Sequence, residues 1–201
     1  MENWVLPALM GLGLAASTGL RTFLPLLMLA VAAHFGLFGV TLNPQVHWLA
    51  STTAVVALGV AAVAELIADK VPLVDHGLAL LGTLTRPIAG ALAAGAVFSH
   101  VDPTTAALAG LIIGVPTALT FHAAQASTRA VSTITTAGLA NPGVSLFEDG
   151  VTMALTAASF IVPVLAGVAV MLLMLLIVLA GRAILRWLSS RGKPATVAEP
   201  P

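Results

Sequence analysis

His122, Gln125, Arg129, Ser132 and Thr136 follow one another at intervals of 3, 4, 3 and 4 residues. That spacing lines them along one face of an α-helix. An imidazole, an amide, a guanidinium and two hydroxyls in one row can bind an anionic group, pass hydrogen bonds along, or pair with carboxylates. The stretch just before it, Pro103 to Phe121, carries no charge at all. An unpaired arginine in hydrocarbon costs at least about 2.5–3.5 kcal/mol, so Arg129 needs a carboxylate partner or water. The other faces of this segment are mostly alanine with Val131 and Ile134, and are expected to pack against neighbouring helices.

Arg21 raises the same question. It follows Ser17, Thr18 and Gly19 after an apolar start, and a wholly apolar segment follows it. Glu65 and Asp69 are four apart and share a helix face; their natural partners are Arg21, Arg86 and Arg129, with Lys70 at the membrane interface. The candidate substrate- or ion-binding set on the first half of the chain is Ser17, Thr18, Arg21, Glu65, Asp69 and Arg86. On the second half it is His122, Gln125, Arg129 and Ser132. His122, with an unperturbed pKa near ~6.5, is placed to respond to pH.

Other polar residues read as structural. Asp75 suits the N-cap of the segment after it, hydrogen-bonded with His76. "SLFE" matches a capping box, with Ser145 at the N-cap and Glu148 at the third helical position. Asp149 then favours the positive end of that helix. The spacing of Glu65, Asp69, Asp75 and His76 fits no metal motif, and no phosphate loop or nucleophile elbow is present. No enzyme, metal or cofactor is expected. The absence of cysteine excludes disulfides and thiolate chemistry.

The elements that must carry these residues are membrane helices. Of 201 residues, 59% are hydrophobic and 8% charged, with a mean hydropathy of +1.05; soluble domains carry roughly a quarter charged residues. The reading is an all-α polytopic membrane bundle with broken or re-entrant helices. Zero formal net charge argues against a nucleic-acid partner; membrane lipids and a small solute or ion are the expected ones. No removed signal peptide is read at the N-terminus.

A crossing helix needs ~20 mostly apolar residues. Trp4 to about Phe38, with Pro7, Gly19 and Pro25 inside it, reads as a broken helix or two short ones. A turn at Leu42-Asn43-Pro44 offers Asn43 as N-cap before a span from His47 to Ala68. Val74 to Leu84 is too short to cross and reads as a re-entrant or interfacial piece ending at Arg86-Pro87. The small-residue span Ile88 to Phe98 follows. Asp102-Pro103 opens a helix towards Thr136 that carries Gly110 and Gly114 at the GxxxG spacing. Gly150 to Gly181 is uncharged and contains Pro163, and reads as a short helix followed by a full span. Five or six crossings fit equally.

Residues 1–188 form one transmembrane domain, and 189–201 a polar, disordered cytoplasmic tail. Arg182, Arg186, Arg191 and Lys193 place the C-terminus in the cytoplasm by the positive-inside rule. "AASTGLR" (Ala15–Arg21) and "AAQASTR" (Ala123–Arg129) share a frame, which would divide the domain into inverted halves, 1–101 and 102–188. The small-residue faces would also serve a homo-oligomer.

Three blocks, "GLAASTGLRTFLPLL", "ELIADKVPLVDHGLALLGTLTRPIAGAL" and "FHAAQASTRAVSTITTAGLANPGVSLFEDG", together resemble a bacterial membrane-protein family catalogued as domain of unknown function 4126. The resemblance runs from about Gly11 to Leu179. It implies a multi-pass membrane protein, in a bacterial cytoplasmic membrane, and carries over no site residues. The residues themselves point to a small transporter or channel for an ion or small solute. Arg21 and Arg129 would attract an anionic group, balanced by Glu65 and Asp69, with the polar stripe as the wall of an internal cavity. The alternatives are a lipid-handling membrane protein or enzyme, and a structural or partner-binding protein without transport.

Overall fold

The computed structural model describes residues 4–69 and 72–191, with side chains undescribed in 72–80 and 188–191. The described residues form an all-helical bundle. In chain order the helices are α1 (Val5–Leu20), α2 (Phe23–His34), α3 (Thr52–Ala68), α4 (Pro72–Ala96), α5 (Pro103–Thr136), α6 (Asn141–Ile161) and α7 (Pro163–Arg191). Two short 3-10 turns, Leu37–Gly39 and Pro44–Ala50, lie between α2 and α3.

α1 and α2 form a hairpin. At 16 and 12 residues they rise about 24 and 18 Å, each short of the ~30 Å hydrocarbon layer. The chain after α2 returns to the start of α1, where Phe38 and Thr41 line one cavity with Leu6 and Met10. The tip of the hairpin is Arg21-Thr22. α1 is the central helix and packs against α2, α4, α5, α6 and α7. Glycine permits these approaches: a Cβ on Gly19 would lie 2.5 Å from the Ala118 carbonyl oxygen of α5, and one on Gly13 would overlap Ser159 of α6. Leu14, Leu29, Phe98 and Phe160 fill the core beside α1.

The pair of short helices therefore lies at α1 and α2, and Val74–Leu84 is not a separate piece. That segment joins Ile88–Phe98 in a single helix, α4, which runs through Pro87. A proline removes one backbone donor, and its neighbours hold the helix together here: α4 and α5 pack along their length. Gly110 and Gly114 meet Ala91 and Gly90, with a Cβ on either glycine falling 2.3 Å from a backbone oxygen of α4. The GxxxG pair is thus used inside the chain.

The caps read from local sequence hold at Asn43 and Asp102. Asn43 Oδ1 accepts from Gln45 N–H, and its amide donates to the Phe98 and Val101 carbonyls at 2.9 and 3.1 Å. Asp102 Oδ1 accepts from Thr105 N–H at 3.0 Å. The span expected from His47 is a 3-10 turn bent by 66° from α3. α6 begins at Asn141, well before Gly150, and is a full 21-residue helix. The break before Pro163 is as expected. α7 continues to Arg191, past the expected tail boundary at 189; residues 192–201 and Lys70 lie outside the described residues.

By length and composition, α5, α6 and α7 are long and apolar enough to cross a membrane, and the bent pair ending in α3 is a fourth candidate. Trp4 and Trp48 are exposed at one end of the bundle, Trp187 at the other. Pro163, at the Trp4 end, is separated from Trp187 by about 36 Å of helix. Interfacial tryptophans at that separation suit a bilayer.

Candidate functional site

The network at the hairpin tip begins with a backbone problem. Breaking a helix at Arg21 leaves α1 with unpaired carbonyls and α2 with unpaired N–H groups, in a region where water is scarce. Side chains from other helices satisfy both. Arg86 of α4 donates to the Gly19 carbonyl at 3.0 Å, and Gln125 Nε2 of α5 donates to the Leu20 carbonyl at 3.1 Å. Glu65 of α3 accepts from Thr22 N–H at 2.8 Å and Phe23 N–H at 3.0 Å. Its carboxylate caps α2 across space, where negative charge is favoured.

Arg21 itself is fully buried. Nη1 pairs with Asp69 Oδ2 just past α3, and Nη2 donates to Ser145 Oγ of α6 at 2.8 Å. Nε lies 2.7 Å from Asp149 Oδ1, though not aligned for a hydrogen bond. Arg129 meets Asp69 from the other side and adds Glu148: its Nη2 reaches Asp69 Oδ2 at 2.5 Å and Glu148 Oε2 at 2.6 Å. Gln125 Nε2 also donates to Glu148 at 2.8 Å. Asp69 Oδ2 thus receives Arg21, Arg129 and the Ser145 hydroxyl at 3.2 Å.

Arg86 Nη1 also faces Gln125 Oε1 and His122 Nδ1, the latter at 2.8 Å. A guanidinium only donates, so His122 Nδ1 accepts. The ring is neutral with its proton on Nε2, which points at Thr83 Oγ1 3.3 Å away. This tautomer is assigned from the hydrogen bonds.

The sequence-predicted residues converge in large part. Arg21, Glu65, Asp69, Arg86, His122, Gln125 and Arg129 share one network. Ser17 and Thr18 are buried but bond back to their own helix, at the Gly13 and Ala15 carbonyls. Ser132 is buried, and its hydroxyl has no hydrogen-bond partner.

Ser145 and Glu148 are not a capping box. Their helix starts a turn earlier, so both fall inside it and face the arginines. Asp149 likewise serves Arg21. Asp75 and His76 fall outside the described side chains. The faces of α5 opposite the stripe do not pack on neighbours: Val131 and Ile134 are exposed, as membrane lipid permits. A cavity of about 350 Å³ opens at the other end of the bundle, near Met10, Phe38 and Phe160, and none of the predicted site residues lines it.

Residues 8–183 match the family model described as Domain of unknown function (DUF4126). The chain belongs to that family. No curated protein and no solved structure matches it. In this DUF4126 member the three family-like sequence blocks supply the network: Arg21 from the first, Glu65, Asp69 and Arg86 from the second, and His122 to Asp149 from the third.

Proposed function

We propose that this membrane protein is a small transporter or channel for an ion or small solute, working through the network at the α1–α2 tip, rather than an enzyme. The observation that carries the reading is Arg21, a fully buried guanidinium at the interruption of a helix, held by carboxylates from α6 and the end of α3. Secondary transporters build their sites at helix breaks of this kind, and ionisable groups inside membranes mark pathways or relays. The pairing is also redundant, since Asp69 serves two arginines and Glu148 lies near both. One bond can open while others hold, which a moving gate requires.

Arg21 lies about 24 Å along α1 from the Trp4 end, and Arg182 about 28 Å along α7 from Pro163. The network therefore sits near the end where Arg182 and Arg186 emerge, which the positive-inside rule makes cytoplasmic. The host membrane is the bacterial cytoplasmic membrane. An oligomer would need a face other than the Gly110/Gly114 pair, such as the exposed Val56, Val60, Val63 and Ile67 of α3.

The saturation of Arg21 and Arg129 by carboxylates favours a second reading, in which the network only locks the bundle. Thermal unfolding in mild detergent, against small anions, cations and lipids from pH 5 to 8, separates the two. A solute that binds the folded state stabilises it by ~2.7 kcal/mol at a hundredfold excess over its Kd. The expected result is a shift from a small solute, weakened in a folded Arg129→Gln variant whose network is loosened, with flux of that solute into proteoliposomes. A flat response and no flux would leave the locking role standing.

A further inference from the structure

Arg86 differs from the buried Arg21 and the partly buried Arg129 in what it faces. Arg21 and Arg129 each meet carboxylates. Arg86 is nine-tenths buried, and among the described residues its hydrogen-bond partners are neutral: the Gly19 carbonyl, Gln125 Oε1 and His122 Nδ1. All three crowd Nη1, which has two hydrogens to give. Nε is buried without a partner. Glu65, the carboxylate on the neighbouring part of the network, is already engaged by Thr22 and Phe23 N–H. A buried charge is ordinarily paired or costs several kcal/mol, and arginine cannot shed its proton to escape that cost.

On the unpaired side the neighbour is a glycine. Gly82 lies one turn before Arg86 on α4, and a Cβ there would come within 3.1 Å of Nε and 3.5 Å of Cδ and Cζ. Glycine thus places no side chain against the buried Nε edge. The edge of a guanidinium matches two oxygens of a carboxylate or phosphate in a forked pair.

We propose that Arg86, whose unpartnered Nε edge lies beside Gly82, is the anion-binding group of the network and takes a small oxyanion. This rests on the transport reading and assigns Arg21 and Arg129 to the framework. His122, held neutral beside Arg86, adds no competing charge. The oxyanion is either free or the headgroup phosphate of a lipid.

The test titrates sodium acetate and sodium phosphate against the purified protein at constant ionic strength, following thermal unfolding and calorimetric binding. Gly82→Ala is the central variant, because it keeps the arginine and favours the helix. Acetate or phosphate should stabilise the wild type, bind Gly82→Ala more weakly by about tenfold or more, and not bind Arg86→Gln. Stabilisation by phosphatidylglycerol in the micelle alone, with the same loss in both variants, would support the site and identify the lipid headgroup as its occupant. Unchanged binding in both variants, or no anion binding by the wild type, would overturn the proposal. If binding survives both variants but is lost in Arg129→Gln, Arg86 is excluded while the transport reading stands. Binding that follows Arg86 without flux of any solute would sink the transport reading and keep the anion site.

Discussion

Two regions hold this bundle together by opposite means. Along the α4–α5 seam, Gly90 and Ala91 meet Gly110 and Gly114 backbone to backbone, with no room for a side chain. At the α1–α2 tip the contacts are nearly all charges and hydrogen bonds from α3, α4, α5 and α6. Lipid tails are as apolar as leucine, so burial alone does not drive membrane helices together. Close packing and polar pairing are what remain, and this protein uses each in its own place. The seam is specified by shape and is indifferent to protonation. The tip is specified by charge, so its partners can exchange.

The largest effect is expected at the seam. Leucine at Gly114 would put Cβ 2.3 Å from the Gly90 carbonyl oxygen and 2.5 Å from its carbon. A backbone cannot move aside as a flexible side chain can, so Gly114→Leu should cost more than about 4 kcal/mol and yield little monodisperse protein on size-exclusion chromatography. Gly150→Ala is the control, since nothing lies within 4 Å of a Cβ there. It should purify as well as the wild type. Normal yield from Gly114→Leu would mean that the seam is far looser than its geometry.

The tip should respond through charge. Arg21→Ala strands Asp149 in the bundle and leaves Asp69 to Arg129 and Ser145, and removing one partner of a buried pair costs about 3–5 kcal/mol. The loss, read by thermal unfolding at neutral pH, should shrink as acid protonates the carboxylates. Adding Asp149→Asn should recover part of it, because Arg21 is the ion partner of Asp149. Equal losses at all pH values, and no recovery in the double variant, would make Arg21 a packing residue instead.

Much of this was legible from local spacing. The 3-4-3-4 stripe does face inward, Arg21 does mark a break, and Asn43 and Asp102 do cap, because each depends on residues within a turn or two. The errors came where a local pattern has two meanings. Ser145 and Glu148 are three apart, which suits a capping box but equally puts both on one inward face. Pro87 reads as a stop, yet packing against α5 carries α4 through it. Alanine on the outer face of α5 signals close packing in water-soluble logic, whereas a lipid-facing surface accepts it equally well. Which carboxylate meets which arginine depends on how α3 and α6 dock, and no periodicity encodes that.

The two acidic caps give the finest version of the comparison. Glu65 caps α2 from another helix and is buried, whereas Asp102 caps its own helix and is exposed. Losing a cap costs about 0.5–2 kcal/mol. Glu65→Ala should reach the upper part of that range, because two N–H groups at the tip lose their acceptor away from water. Asp102→Ala should shift unfolding only slightly. Hydrogen bonds from Thr105, its side chain first and its N–H second, hold the Asp102 carboxyl below its ordinary range. A depressed carboxyl contributes stability above its unfolded pKa of roughly 3.9. That contribution fades as pH falls from there through the folded value. The difference between wild type and Asp102→Ala should therefore be constant from pH 5 to 8 and vanish in stronger acid. A difference that instead grew towards low pH would show that the cap holds by something other than its charge.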